Sequence, residues 1–253
     1  MTPYLELKNI SKDFKSKKGS KTALKNINLR IKEKEFLTIL GPSGCGKSTL
    51  LKIIAGFIKN EKGKVIKQGN IIKEAGLDRI MLFQNFEQLF SRKKVIDNVL
   101  FAIKAAARFK NKKLKNKEAK AEALKYLKEV KLKEYKDYYP HQLSGGMKQR
   151  VALARTLAAG GEIMLMDEPF ASVDSQTRRK LQQLLIDIFK EEERTVIFVT
   201  HNIREAVFLS DRIVVMKNEP GEIVEIVDNN LPRPRNFGSK KFNQLYQKLE
   251  ARI

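Results

Sequence analysis

The sequence predicts an α/β fold on a largely parallel sheet, with a small β-rich layer in front and a helical segment inserted between core strands. Three observations predict it. Short apolar runs recur at residues 37–40, 80–83, 163–166, 195–200 and 213–216, several of them β-branched and separated by longer helical or mixed stretches. A glycine-rich stretch, Gly41-Pro42-Ser43-Gly44-Cys45-Gly46-Lys47-Ser48-Thr49, lies between the apolar residues 36–40 and 50–55, so it reads as strand, loop and helix start. The helix-rich, charged sequence from Phe86 to Tyr139 interrupts the rhythm of the strands.

In chain order, Tyr4-Leu5-Glu6-Leu7-Lys8-Asn9-Ile10 alternates as a first strand, residues 15–21 are a polar, glycine-containing turn, and residues 23–29 form a second strand. The strand at 36–40 feeds the glycine-rich loop, and Ile80-Met81-Leu82-Phe83 is the next core strand. Lysines concentrate between Lys104 and Lys136, alternating with Ala121, Leu124, Leu127 and Val130 at helical spacing. Leu143-Ser144-Gly145-Gly146-Met147-Lys148-Gln149-Arg150 precedes an alanine-rich helix expected to begin near Val151. Some 20 residues on from the start of that motif, an interval suiting one helix and its connection, Ile163-Met164-Leu165-Met166-Asp167-Glu168-Pro169 is an apolar strand ending in two carboxylates. No internal repeat or low-complexity linker interrupts this order.

The 253 residues suffice for a full core, and one domain is expected. No stretch approaches the ~18 consecutive apolar residues of a membrane span, and the N-terminus lacks a secretory signal pattern, which points to the cytoplasm. Cys45 is the only cysteine, so an intrachain disulfide or a multi-cysteine metal site is excluded, and it reads as a passive spacer in its loop. Fifty-one Lys+Arg against 29 Asp+Glu give a formal net charge of +22. That balance fits either a solvated helix face or contact with phosphate headgroups or a partner, and it does not settle function.

The motifs carry the chemistry. Glycines at 41, 44 and 46 let backbone N–H groups curl around phosphate oxygens, and the following helix adds the positive end of its dipole. Lys47 can reach the β- and γ-phosphates, and Ser48 can ligate Mg²⁺. The chain is therefore expected to bind a nucleoside triphosphate. Ser144-Gly145-Gly146 at a helix start offers a hydroxyl and free N–H groups, either as a second phosphate contact or as an ordinary N-cap. Asp167 falls at the C-terminal end of a buried strand, where α/β sheets bind ligands, and suits Mg²⁺. Glu168 beside it suits orienting or deprotonating a water.

Together these motifs resemble the nucleotide-binding subunit of an ATP-binding-cassette (ABC) transporter, in family order over almost the whole chain. Residues 41–48 resemble the Walker A motif, 143–150 the family signature, and 164–168 Walker B with its catalytic glutamate. Gln84 matches the Q-loop glutamine, Ala171-Ser172-Val173-Asp174 the D-loop and His201 the switch histidine. Phe14 falls where the family places an aromatic on adenine. The resemblance implies a P-loop NTPase cassette with a RecA-like core, an antiparallel β layer and a helical subdomain. Core and β layer would span 1–85 and 151–225, the helical subdomain 86–150 and a short C-terminal extension 226–253. It further implies ATP on the 41–49 loop and Mg²⁺ held by Ser48, Gln84 and Asp167. Glu168, His201 and Gln84 would be catalytic, Asp174 would belong to the D-loop, and a partner cassette, expected to be identical, would supply Ser144, Gly145 and Gly146 in trans.

Met166-Asp167-Glu168-Pro169-Phe170, Gln176-Thr177-Arg178 and above all Leu231-Pro232-Arg233-Pro234-Arg235 resemble the nitrate/sulfonate/taurine importer group. That resemblance implies ATPase activity coupled to a membrane permease, with an extracytoplasmic solute-binding protein as indirect partner and a peripheral location on the inner membrane face. No nucleic-acid partner is implied. Phe86, Leu89 and Phe90 would either anchor the permease or pack in the core. Gly160-Gly161, Phe90-Ser91-Arg92-Lys93-Lys94 and the lysine-rich residues 59–78 depart from the group. Two other readings share the motifs: a soluble ABC ATPase of iron–sulfur cluster assembly, whose signature usually turns acidic where Met147 and Lys148 stand, and a nucleic-acid- or ribosome-acting ABC protein.

Overall fold

The computed structural model describes residues 3–16, 19–84 and 88–252. In chain order the elements are β1 (Leu5–Ser16), β2 (Gly19–Ile31), β3 (Phe36–Leu40), α1 (Lys47–Ala55), β4 (Lys62–Lys67), β5 (Asn70–Ile71) and β6 (Arg79–Leu82). There follow α2 (Val95–Phe109), α3 (Asn116–Glu129), α4 (Gly145–Ala159), β7 (Ile163–Asp167), α5 (Ser175–Glu192) and β8 (Thr195–Thr200). The chain ends with α6 (Ile203–Leu209), β9 (Arg212–Lys217), β10 (Glu222–Asp228) and α7 (Lys240–Glu250). It divides into two compact units, Met1–Gly76 with Glu193–Ile253, and Leu77–Glu192.

The first unit holds a four-stranded antiparallel sheet in the order β2-β1-β4-β5. Leu5 pairs with Ile31 and Leu7 with Leu29 across β1 and β2, which buries one alternating face. Both strands outrun the expected 4–10 and 23–29, because the backbone ladder continues through the polar residues to Ser16 and Gly19 once each strand has a partner. In the same unit β3 runs parallel to β8 on one side and β9 on the other, and β10 returns antiparallel to β9. Every residue of β3 and β8 is buried, as their largely apolar sequence requires.

The second unit pairs β6 with β7 in parallel, Ile80 opposite Met164 and Leu82 opposite Met166, and carries the helices α2 to α5. Two expectations need correcting. The alanine-rich helix α4 begins at Gly145 and not near Val151, since Ser144 caps it and the glycines ahead of Met147 already adopt helical geometry. In α3 the buried stripe is Ala119, Ala123, Tyr126 and Leu127, with Val130 buried just beyond it. Ala121 faces solvent and Leu124 is half-buried, so the apolar spacing expected there holds only at its C-terminal end. The unusual Gly160-Gly161 has a physical reason: Gly160 closes α4 at φ 69°, and a Cβ on Gly161 would lie 2.6 Å from Ile80 Cγ1.

Candidate nucleotide site

In the first unit, β3 delivers the chain into the glycine-rich loop. A Cβ on Gly41 would lie 2.5 Å from the Met216 carbonyl, so only glycine lets the loop start so close to β9. Gly46 sits at φ 91°, and a Cβ there would lie 2.8 Å from the Ala23 carbonyl. As the N-cap of α1 it brings no side chain, and the first turn of α1 contains no acidic residue. An anion at this helix start therefore meets neither a competing cap nor a repelling charge. Lys47 is buried, and its Nζ donates to the Gly41 carbonyl at 2.8 Å and the Pro42 carbonyl at 2.6 Å. The amine thus lies folded onto its own loop, a position from which it can swing to phosphate. Asn218 Nδ2 donates to the Ser43 carbonyl at 3.3 Å, a brace that no pattern in the chain foretells. Burial pushes the Cys45 thiol up against the opposing pull of Lys47, which fits a spacer and not a reactive thiol.

The same unit carries Phe14 and His201. Phe14 on β1 is 45% exposed, with Lys12 Nζ 5.2 Å from its ring centroid, so its face is already a cation-binding surface. His201 is exposed directly after β8, between Thr200 and Asn202. Asn202 caps α6 by accepting from the N–H groups of Arg204 at 2.9 Å and Glu205 at 3.3 Å. Ser48 and Thr49 occupy the first turn of α1, half-buried.

In the second unit, β7 ends at buried Asp167. Glu168 follows in the left-handed region, φ 46°, which a non-glycine residue adopts only where its surroundings hold it. Gln149 of α4 supplies part of that hold, since its Nε2 donates to the Glu168 carbonyl at 3.4 Å. Gln149 belongs to the 143–150 motif, yet nothing in the motif marks it for this task. Gln84, exposed after β6, brings its Nε2 to 3.5 Å from Glu168 Oε2, so these two expected site residues meet. Ser144 Oγ accepts from the Met147 N–H at 3.3 Å, which makes the serine an N-cap, with Gly145 exposed beside it. A Cβ on Gly146 would lie 3.4 Å from the Ser172 carbonyl, so the Ser-Gly-Gly turn packs on the loop that leads to Asp174. Asp174 Oδ1 accepts from the Thr177 N–H at 2.9 Å, and that bond holds its carboxyl below the usual range.

Of the three residues expected to dock the permease or pack in the core, Phe86 lies outside the described residues. Leu89 is buried in the core, and Phe90 is half-buried, edge-on to Phe101 at 4.8 Å with the Arg155 guanidinium 4.5 Å from its centroid. A groove of about 210 Å³ nearby is lined by Leu77, Phe83, Gln88, Phe101, Ala105 and Arg155, among others. Among the described residues no helix is long and apolar enough to cross a membrane.

The family model described as ABC transporter matches residues 24–171, from the strand that supports the phosphate loop through the Asp167-Glu168 strand end. The chain belongs to the ABC transporter family. It is 47% identical over 98% of its length to an uncharacterised ABC transporter ATP-binding protein of Methanocaldococcus jannaschii, covering 91% of that protein. It is 39% identical over 97% of its length to the aliphatic sulfonates import ATP-binding protein SsuB of Bacillus thuringiensis, covering 94% of it. Among solved structures, an ATP-binding cassette in a dimeric post-hydrolysis state with ADP and phosphate matches with a TM-score of 0.81 at 34% identity, over 90% of this chain and 100% of that one. The cassette fold expected from the sequence is the fold observed.

Proposed function

We propose that this ABC protein is the ATP-hydrolysing subunit of an importer of small solutes of the nitrate, sulfonate and taurine kind, working with a membrane permease served by an extracytoplasmic binding protein. The hydrolytic part of the reading is carried by Glu168, a carboxylate at the end of a buried strand, held in left-handed backbone geometry and met by Gln84, and the importer part by the likeness to import ATP-binding proteins such as SsuB. The loop 41–49 cradles the triphosphate, with Lys47 leaving its loop carbonyls for the β- and γ-oxygens, and Phe14 offers a ring face to adenine. The hydroxyl of Ser48, the amide oxygen of Gln84 and the carboxylate of Asp167 are hard oxygen donors that suit Mg²⁺, which would neutralise charge on the β- and γ-phosphates.

Glu168 takes a proton from water as the water oxygen bonds to the γ-phosphorus. The bond from that phosphorus to the bridging oxygen breaks in line, its electron pair leaves with ADP, and His201 steadies the γ-phosphoryl oxygens. Two copies pair head to tail, Ser144, Gly145 and Gly146 of each contacting the γ-phosphate held by the other, with Asp174 beside them. Hydrolysis replaces one shared anion by two that repel, and the pair opens. The protein works at the inner membrane face through its permease, for whose cytoplasmic helices the lobe after Gln84 offers Phe90 and the neighbouring groove lined by Phe83, Phe101 and Arg155.

Glu168→Gln keeps ATP affinity, cuts turnover by about 10²-fold or more, and traps an ATP-bound dimer visible by gel filtration. Undiminished phosphate release by that variant removes Glu168 from the base role. Ser144→Arg retains ATP binding as a monomer but shows no ATP-dependent dimer, because a bulky cation occupies the γ-phosphate contact.

A further inference from the structure

The motif at residues 231–235 has a place in the fold that the proposed chemistry leaves unused. Helix α6 follows His201 with one residue between, and its N-terminal end is closed on both sides of the histidine. Thr200 Oγ1 accepts from the Asn202 N–H at 3.0 Å and donates to buried Glu205 Oε2 at 2.7 Å, while Asn202 caps the first turn. The backbone of His201 therefore goes where the first turn of α6 goes.

The other end of α6 is where the motif acts. A short helix leaves its last carbonyls without intrahelical partners, and a buried end needs donors for them. Arg235, only 8% exposed, provides them: Nη1 lies 3.1, 3.0 and 2.8 Å from the carbonyl oxygens of Val207, Phe208 and Ser210. Its Nε donates to Leu231 O at 3.1 Å and its Nη2 to Asn229 O at 3.3 Å, which folds the motif around the guanidinium. Asn229 Nδ2 adds bonds to Val207 O at 2.8 Å and Ser210 O at 2.9 Å. Arg233 donates to the Leu209 carbonyl and pairs with Asp211. The other carboxylate oxygen of Asp211 accepts from the Phe36 N–H at 3.0 Å, at the start of the strand that leads to the phosphate loop.

Burial, with Arg233 beside it, brings the Arg235 guanidinium down to about 10, so the group stays charged at neutral pH. A planar fork with several N–H donors suits this cluster of carbonyls, and a lysine ammonium reaches fewer of them.

We propose that Arg235, with Arg233 and Asn229, is a positioning residue for His201: it fixes the C-terminal end of α6 and through the helix holds the histidine for the γ-phosphate. The inference rests on the role proposed for His201 in hydrolysis. It assigns to the 231–235 motif a task in the ATPase cycle of this chain.

The test compares the full chain with Arg235→Gln, Arg235→Lys, His201→Ala and the double variant His201→Ala/Arg235→Gln, measuring kcat and KM for ATP and backbone hydrogen exchange. Arg235→Gln is expected to lower kcat on the order of tenfold with KM changed less than about twofold, and Arg235→Lys to recover part of the loss. In the absence of His201 the Arg235→Gln change should have no further effect on kcat, as for two residues acting through one contact. Exchange should quicken along α6 as far as the Arg204 and Glu205 N–H groups. Additive losses in the double variant, or faster exchange confined to residues 207–210, would overturn the proposal and leave a local cap. Wild-type turnover in His201→Ala alone refutes the role of His201, and the inference with it, without reference to Arg235. Should Arg235→Gln fail to fold, Arg235→Lys and Asn229→Ser carry the same double comparison, since Asn229→Ser removes the amide bonds to Val207 and Ser210.

Discussion

Glu129 at the end of α3 has one carboxylate oxygen, Oε2, buried without a hydrogen-bond partner among the described residues, and the other 3.9 Å from Lys125 Nζ. Burial raises its pKa first of all, Lys125 opposes, and Glu192 and Glu191 add to the rise. A carboxyl whose folded pKa lies above its unfolded value binds more protons in the fold, so its contribution to stability falls as pH climbs between the two values. Glu129→Gln is therefore expected to raise Tm by about 1–3 °C at pH 7 and to leave it unchanged near pH 4, measured by calorimetry. A lower Tm at pH 7 would show that the pair with Lys125 outweighs burial. Glu168 illustrates what a residue does and does not reveal in sequence. Its identity and place after an apolar run pointed to its chemistry, whereas its left-handed backbone and the Gln149 bond arise from packing against α4. Arg150, next in the same motif, donates to Val130 O at 3.1 Å at the end of α3, so a signature residue doubles as a helix cap.

Among the elements, α2 depends on a residue that no motif marks. Asn98 is 0% exposed; its Oδ1 accepts from the Phe90 N–H at 2.8 Å, and its Nδ2 lies near the carbonyls of Phe90, Lys93 and Lys94 at 3.3, 3.1 and 3.1 Å. The amide shapes the segment that departs from the importer group and supports the start of α2, where Lys94 has no side-chain cap. Asn98→Leu takes this partner from the Phe90 N–H and the Lys93 carbonyl, while the Phe90 and Lys94 carbonyls keep their backbone donors, and is expected to destabilise the protein by about 2–4 kcal/mol, read from the denaturant midpoint. A midpoint within error of wild type would show that water or backbone adjustment replaces the amide. The strands β3, β6, β7, β8 and β9 were legible because each is a compact apolar run bounded by polar residues or a turn. The start of α4 and the buried face of α3 were not. Glycine hides a helix start when Ser144 supplies the cap, and a lysine-rich amphipathic pattern with scattered alanines fits more than one face.

Across the whole molecule, the motifs leave the +22 net charge without a role. Like charges repel more in a folded chain than in the expanded one, and the Debye length shrinks from ~30 Å at 0.01 M salt to ~3 Å at 1 M. Thermal melts at salt concentrations between those two are expected to show Tm rising with salt, and a flat or falling Tm would mean that ion pairs such as Arg212 with Glu35 at 2.9 Å outweigh the repulsion. The order of residues alone was enough for the α/β class, the phosphate loop and the identities of the residues proposed for chemistry. Those signals are local: a glycine pattern, an apolar run, a carboxylate at its end. It took the folded chain to show that Lys47 rests on its own loop carbonyls, that Gln84 reaches Glu168, and that Arg235 closes the helix behind His201. Each of these joins backbone or side-chain groups that a linear pattern keeps apart or leaves unmarked; for Lys47 and Arg235 burial compels the pairing, and for exposed Gln84 the strand ends of β6 and β7 bring it to Glu168.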